Sequence, residues 1–394
     1  MRRRSPLFLC AAALVVATAV PAHAAAGPDP RVTLPGMPER LAPDQKCTSF
    51  PGRPLAEAPW TRHALGLDQV WLLSRGRGVT LAVVGTGVSD APAVLKGRVR
   101  AVGGADDDCV GRGTFLAGIA AGAAVPGQGF SGVAPLAEVL AVRGTGDRGE
   151  PDPVRMAEGI RQAALAGAGV IVAGAPLDGA DARVRSALAA AVEADALVVV
   201  PAAADSVPAG GAGVPPEPAP PPGVLAVVDT GPDGGRPGDA PRFTRADLSA
   251  PGGALVGPGP VGDGKWTGSG SSLAAAVTGG AAALVRAYHP GLSAAQVRER
   301  LLRTAYPGDL PALDAYGAVA GAAAVTVRAT GVEPAAVRLR PADDGEAARG
   351  TAVAVAAAAA GTALLAGFLA VVVPRGLRRD WRPGRFGGDG PDAA

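Results

Sequence analysis

The chain has 394 residues, 48% hydrophobic and 18% charged, so it is too apolar for a disordered protein and long enough for one large domain or two ordinary ones. Its 58 Gly and 38 Pro follow no Gly-X-Y period, which excludes a collagen-like rod and favours a loop-rich globular body. A formal net charge of +2 argues against a dedicated nucleic-acid binder, which usually shows a concentrated basic face, and the three Lys against 34 Arg read as genome composition.

Arg2, Arg3 and Arg4 precede an apolar run over residues 7–20, followed by Pro21 and the small-residue pattern Ala22-His23-Ala24. That pattern predicts a secretory signal peptide over residues 1–24, cut after Ala24; the run is too short to serve comfortably as an anchor. Cys10 does not mark a lipoprotein, because most of the apolar run follows it. Removal of the peptide leaves Cys47 and Cys109. An even count in an oxidising compartment reads as a disulfide, stapling an N-terminal extension (residues 25–75) to the body; the competing reading is two separate buried thiols.

From residue 78 onward, strand-like runs bounded by Gly and Pro alternate with helical patterns. The expected strands are 79–84, 139–142, 170–172, 197–200 and 224–228, and the expected helices are 114–121, 154–166 and 183–192. This alternation predicts an α/β fold, a mainly parallel sheet covered by helices on both faces, over residues 76–325. Residues 206–222 form a Pro/Gly-rich loop, and 293–303 a helix capped by Ser293. Residues 326–350 read as a linker.

Residues 351–373 are an uncharged run of small and apolar residues, long enough as a helix to cross a hydrocarbon core of about 30 Å. A buried core helix is the competing reading, and the polar flanks oppose it. Arg375, Arg378, Arg379, Arg382 and Arg385 follow in the tail 374–394, which the positive-inside rule leaves in the cytoplasm. The expectation is a single-pass membrane protein with an extracytoplasmic body, in contact with lipid through its C-terminal helix.

Three motifs carry a family resemblance. Val84-Gly85-Thr86-Gly87 ends a strand and resembles the Asp-Thr-Gly motif of subtilases. Gly111-Arg112-Gly113-Thr114 resembles the His-Gly-Thr start of the family's next helix, and Gly270-Ser271-Ser272 its Gly-Thr-Ser nucleophile turn. Gly132-Val133-Ala134-Pro135 and Ala250-Pro251-Gly252 add to the match. With the signal peptide, the extension and the basic-tailed apolar helix, the chain resembles the mycosins, membrane-anchored subtilases of type VII secretion systems. The resemblance implies a subtilisin-like three-layer fold. It also implies a disulfide between Cys47 and Cys109 and partners among type VII secretion membrane components. No cofactor and no metal are expected.

Measured against that family the chemistry looks broken. Subtilase hydrolysis uses a Ser nucleophile, a His base, an Asp that orients the His and an amide that stabilises the oxyanion. Here Ser272 matches the nucleophile, but Gly85 stands at the Asp position and Arg112 at the His position. A guanidinium stays protonated and cannot act as general base, although Arg112 could ion-pair with Asp107 or Asp108. Asp205 stands at the oxyanion Asn position, replacing a donor with an acceptor. The substrate-pairing segment matches Gly174-Ala175-Pro176, where Pro176 lacks the N–H for strand pairing.

No other residue obviously supplies the base. His289 would lie about 25 Å from Ser272 along one helix. His63 belongs to the extension, and Lys265 would need desolvation to form a Ser–Lys dyad. Sedolisins, a related family, do place Asp at the oxyanion site, but they need a Glu on the helix beginning near Thr114, and residues 113–122 contain none. The leading expectation is a catalytically dead subtilase that works by binding; an active endopeptidase using Ser272 with an unorthodox base is the alternative, and a passive surface domain a third.

Overall fold

A computed structural model describes residues 33–206, 218–321 and 346–378. The expected signal peptide, most of the linker, part of the 206–222 loop and the tail from residue 379 lie outside the described residues. The chain divides into two units, one within residues 1–325 and one within 326–394.

The first unit opens with two short helices, α1 (Trp60–Ala64) and α2 (Leu67–Leu73), before β1 (Thr80–Gly85), β2 (Val99–Val102), α3 (Arg112–Ala121) and β3 (Glu138–Arg143). There follow α4 (Pro153–Leu165), β4 (Val170–Ala173), α5 (Ala182–Glu193), β5 (Leu197–Pro201), β6 (Leu225–Thr230) and β7 (Leu248–Pro251). A hairpin of β8 (Leu255–Pro258) and β9 (Lys265–Gly268) leads into α6 (Ser271–Tyr288), α7 (Ala294–Thr304) and α8 (Ala315–Ala320).

Strands β1 to β7 form one sheet in the order β2-β3-β1-β4-β5-β6-β7, with every neighbouring pair parallel. The central strands are continuous apolar runs because both of their faces are covered: all four residues of β4 and all five of β5 are buried. Helices α3 and α6 pack on one face and α4 and α5 on the other, each side with its own apolar core. Residues Ser271 to Val285 of α6 are all buried, as expected of a helix apolar all round. Gly118 lets α3 lie flush on β8, since a Cβ there would fall 2.2 Å from Pro258 Cδ.

Helix starts follow local capping chemistry. Asp152 accepts from the amides of Val154 and Arg155 at the head of α4, with Pro153 at its first position. Asp181 caps α5, and Ser293 with Gln296 forms a capping box on α7. The expected strands and helices of the body are present. Strands β2, β7, β8 and β9 were not anticipated: β2 is a short edge strand carrying an exposed Arg100, and β8 and β9 are interrupted by Gly and Pro.

The extension is knitted to the body along its length. Gly36 bridges Thr267 and Arg53 bridges Lys265, so β9 gains short pairings beyond its hairpin partner. Cys47 is bonded to Cys109, and Thr48 donates through its amide to Cys109 O (2.9 Å) and through its hydroxyl to Val110 O (2.8 Å).

In the second unit, α9 (Glu346–Arg378) extends the expected apolar segment at both ends. Its stretch Gly350–Arg378 is long and apolar enough to cross a membrane.

Candidate active site

Strand order reverses at β1, which has β3 on one side and β4 on the other, and ligand crevices of parallel α/β sheets open at the carboxyl ends of strands at such a point. A cleft of about 640 Å³ lies there, lined by Gly85 at the end of β1, Gly174 after β4 and Pro201 at the end of β5. Arg112 opens α3 into it and Ser272 opens α6 into it, so four motifs distant in sequence meet in one cavity.

The centre of the cleft is a three-residue network. Ser272 donates its backbone N–H to Asp205 Oδ1 (2.7 Å) and its hydroxyl to Asp205 Oδ2 (2.5 Å). Arg112 donates from one terminal nitrogen to Asp205 Oδ2 and to Ser272 Oγ, the latter at 3.0 Å. The side chains of Arg112 and Asp205 are only 6% and 9% exposed, and Arg112 Nε is buried without a hydrogen-bond partner. The Asp205 carboxylate thus sits against the amino end of α6, where free N–H groups and the helix dipole favour an anion. Gly270 makes this approach possible: at φ 134°, it has no Cβ, and one placed there would fall 2.2 Å from Asp205 Oδ1.

This pairing corrects the expectation that Arg112 would turn to Asp107 or Asp108. Asp107 instead pairs with Arg143. Buried Asp108 accepts from the amides of Gly111 (2.8 Å) and Thr114 (2.7 Å) and from the Thr114 hydroxyl (2.7 Å), and so holds the start of α3. Burial raises the Asp108 pKa, against the pull of those donors.

Gly85 leaves open space, since a Cβ there would meet nothing within 4 Å. Gly174, Ala175 and Pro176 line the cleft wall. None of the three proposed substitute bases lines it. His63 is an exposed residue of α1, and His289 follows the last residue of α6, its Nε2 2.9 Å from Val319 O. Lys265 is desolvated, which pushes its pKa down, but its Nζ donates to Gln128 Oε1 (2.7 Å) and Asp263 O (2.6 Å) and lies over the Phe130 ring. Its side chain ties β9 to Gln128 and Phe130 of the segment after α3, and it does not line the cleft that holds the serine.

Sequence reading missed Glu39 and Arg40 of the extension and the segment 238–242, all of which line the cleft. Glu39 keeps access to solvent and accepts from Ser206 Oγ at 2.9 Å; partial desolvation, then the Asp205 charge, raises its pKa. Thr86 was within reach of sequence reading, as the middle residue of Gly85-Thr86-Gly87; its buried Oγ1 accepts the Gly113 amide at 2.8 Å and ties β1 to α3.

A parallel sheet, a serine on the buried amino end of the central helix and a cleft at the switch point are the framework of a subtilisin-type serine hydrolase. The subtilase family model matches residues 76–333. Mycosin-4 of Mycobacterium tuberculosis is 33% identical over 352 residues, covering 75% of this chain and 76% of its own length. Among solved structures, the MycP3 protease from the type VII (ESX-3) secretion system superposes with a TM-score of 0.58 at 28% identity, over 75% of this chain and 98% of that one. A chain of the periplasmic assembly from the ESX-5 inner membrane complex gives 0.59 at 25% identity, over 77% and 94%. The chain belongs to the subtilase family and, within it, to the mycosin type.

Proposed function

We propose that this mycosin-type chain is a membrane-anchored, extracytoplasmic protein whose hydrolytic site is silent and which works by contact, as a structural component of a type VII secretion membrane complex. The observation that carries the silence is the Asp205 carboxylate on Ser272. An acyl-transfer site needs donors free to meet the developing oxyanion, and here the Ser272 N–H is spent on Asp205 Oδ1. The nucleophile is occupied too: its proton is directed at Asp205 and its oxygen accepts from a guanidinium. Gly85 and Arg112, at the positions read as those of the triad Asp and His, supply neither an orienting carboxylate nor a base. Asp205 itself, acting as the base for Ser272, would still fill the place of the oxyanion.

The secretion role is supported by the relative in the ESX-5 periplasmic assembly, and anchoring by the apolar stretch of α9. In this reading residues 1–24 are removed on export, 25–75 form the extension, 76–325 the subtilase domain, 326–350 the linker, 351–373 the span and 374–394 a cytoplasmic basic tail. Tethering raises the effective concentration at a membrane partner, so modest contacts suffice only while the span is present. A deletion strain should therefore be rescued as well by Ser272→Ala as by wild type, and not by a version lacking residues 351–373. Failure of Ser272→Ala at normal protein level would reinstate catalysis.

A further inference from the structure

The extension crosses the cleft within five residues, Met37 to Leu41. Met37 is buried and donates its amide to Thr267 O of β9 (2.7 Å). Its sulfur packs on Gly111 at the head of α3, where a Cβ would fall 3.0 Å from Sδ. Leu41 is buried in turn and donates its amide to Arg148 O (2.9 Å) in the loop after β3. Neighbours of both anchor points line the cleft: Arg112 and Gly113 at the start of α3, Thr145 and Gly149 after β3. Four residue steps reach about 14 Å at most, so the chain between the anchors runs directly from one wall to the other.

Glu39 and Arg40, in the middle of this span, line the cleft and are also exposed to solvent, so they stand at its mouth. Glu39 fastens the span to a third wall, accepting from Ser206 Oγ (2.9 Å) beside Asp205. Its backbone lies against Gly149, where a Cβ would fall 2.8 Å from Glu39 O. Extended peptides bind by pairing main chain to main chain along an open edge. Here Arg148 O already accepts from Leu41, and Pro176, on the wall formed by residues 174–176, has no N–H to donate.

We infer that residues 37–41 are a built-in strap that closes the cleft to extended polypeptide and leaves its cavity of about 640 Å³ to compact ligands. The strap goes beyond the chemical silence proposed above and does not depend on it. It excludes chains by blocking access, whereas the silence lies in the groups bonded to Ser272.

The test uses the full chain in detergent micelles, its native disulfide intact, with one added thiol: Ala175→Cys on the cleft wall or Asp233→Cys in an exposed loop as reference. N-ethylmaleimide is the compact probe and a polyethylene-glycol maleimide of several kilodaltons the chain-like one. Relative to position 233, position 175 should react many-fold more slowly with the chain-like probe than with the compact one. Met37→Ser with Leu41→Ser, which removes both anchors, should abolish that discrimination. Glu39→Gly with Arg40→Gly, which thins the strap and keeps the anchors, should reduce it several-fold, and this variant decides where loss of both anchors unfolds the extension. Equal relative rates for the two probes under the native strap, or discrimination unchanged by thinning it, overturn the inference. Fluorophosphonate should still leave Ser272 unlabelled once the strap is released; labelling that appears only then keeps the strap and refutes the chemical silence.

Discussion

Replacing Asp205 by Ala should lower the stability of the body by about 3–5 kcal/mol, seen as a fall in the urea midpoint at unchanged slope. The change strands the Arg112 guanidinium in a site where its side chain is 6% exposed, and removes the acceptor of two Ser272 donors. Removing one member of a buried ion pair costs far more than replacing both, because the survivor keeps its desolvation penalty without its partner. The double variant Arg112→Met, Asp205→Ala should therefore recover most of the loss. A single Asp205→Ala variant as stable as wild type would mean that water reaches Arg112 and that the network is not a structural element. On the proposed reading the pair converts a reaction centre into part of the core, because Ser272, Arg112 and Asp205 are bonded to one another.

The second large effect concerns the extension. Reduction of the Cys47–Cys109 bond, which closes a sequence separation of 62, should remove about 4 kcal/mol on the chain-entropy model and lower the melting temperature by roughly 10 °C. Cys109 adjoins Asp108, whose carboxylate holds the start of α3, so the bond also steadies the helix that delivers Arg112. Calorimetry on oxidised protein and on Cys47→Ser, Cys109→Ser measures the difference. An unchanged melting temperature would show that the short pairings of Gly36 and Arg53 with β9 hold the extension on their own.

The parallel sheet was legible because buried central strands leave long apolar runs punctuated by Gly and Pro, and the meeting of Gly85, Arg112 and Ser272 in one cleft because each sits inside a motif with fixed local geometry. The partner of Arg112 was not legible. Proximity along the chain favoured Asp107 and Asp108, whereas the fold brings in Asp205 from 93 residues away, past the end of β5. Capping decides the matter for Asp108, which is more useful to α3 as an acceptor of amides than to Arg112 as a counter-ion. Glu39 carries no local signal at all, since its place in the cleft comes from the route of the extension over β9. Hydropathy located the apolar stretch of α9 but not its ends, because Glu346 and Arg378 extend a helix as readily as apolar residues do.

Reaction with a fluorophosphonate tests catalytic silence most directly, because the probe needs both an activated serine hydroxyl and an open oxyanion site. The folded, oxidised body should show no labelling above that of Ser272→Ala, and Arg112→His alone should not change this while Asp205 still occupies the Ser272 N–H. Stoichiometric labelling of the wild-type protein that disappears in Ser272→Ala would contradict the account.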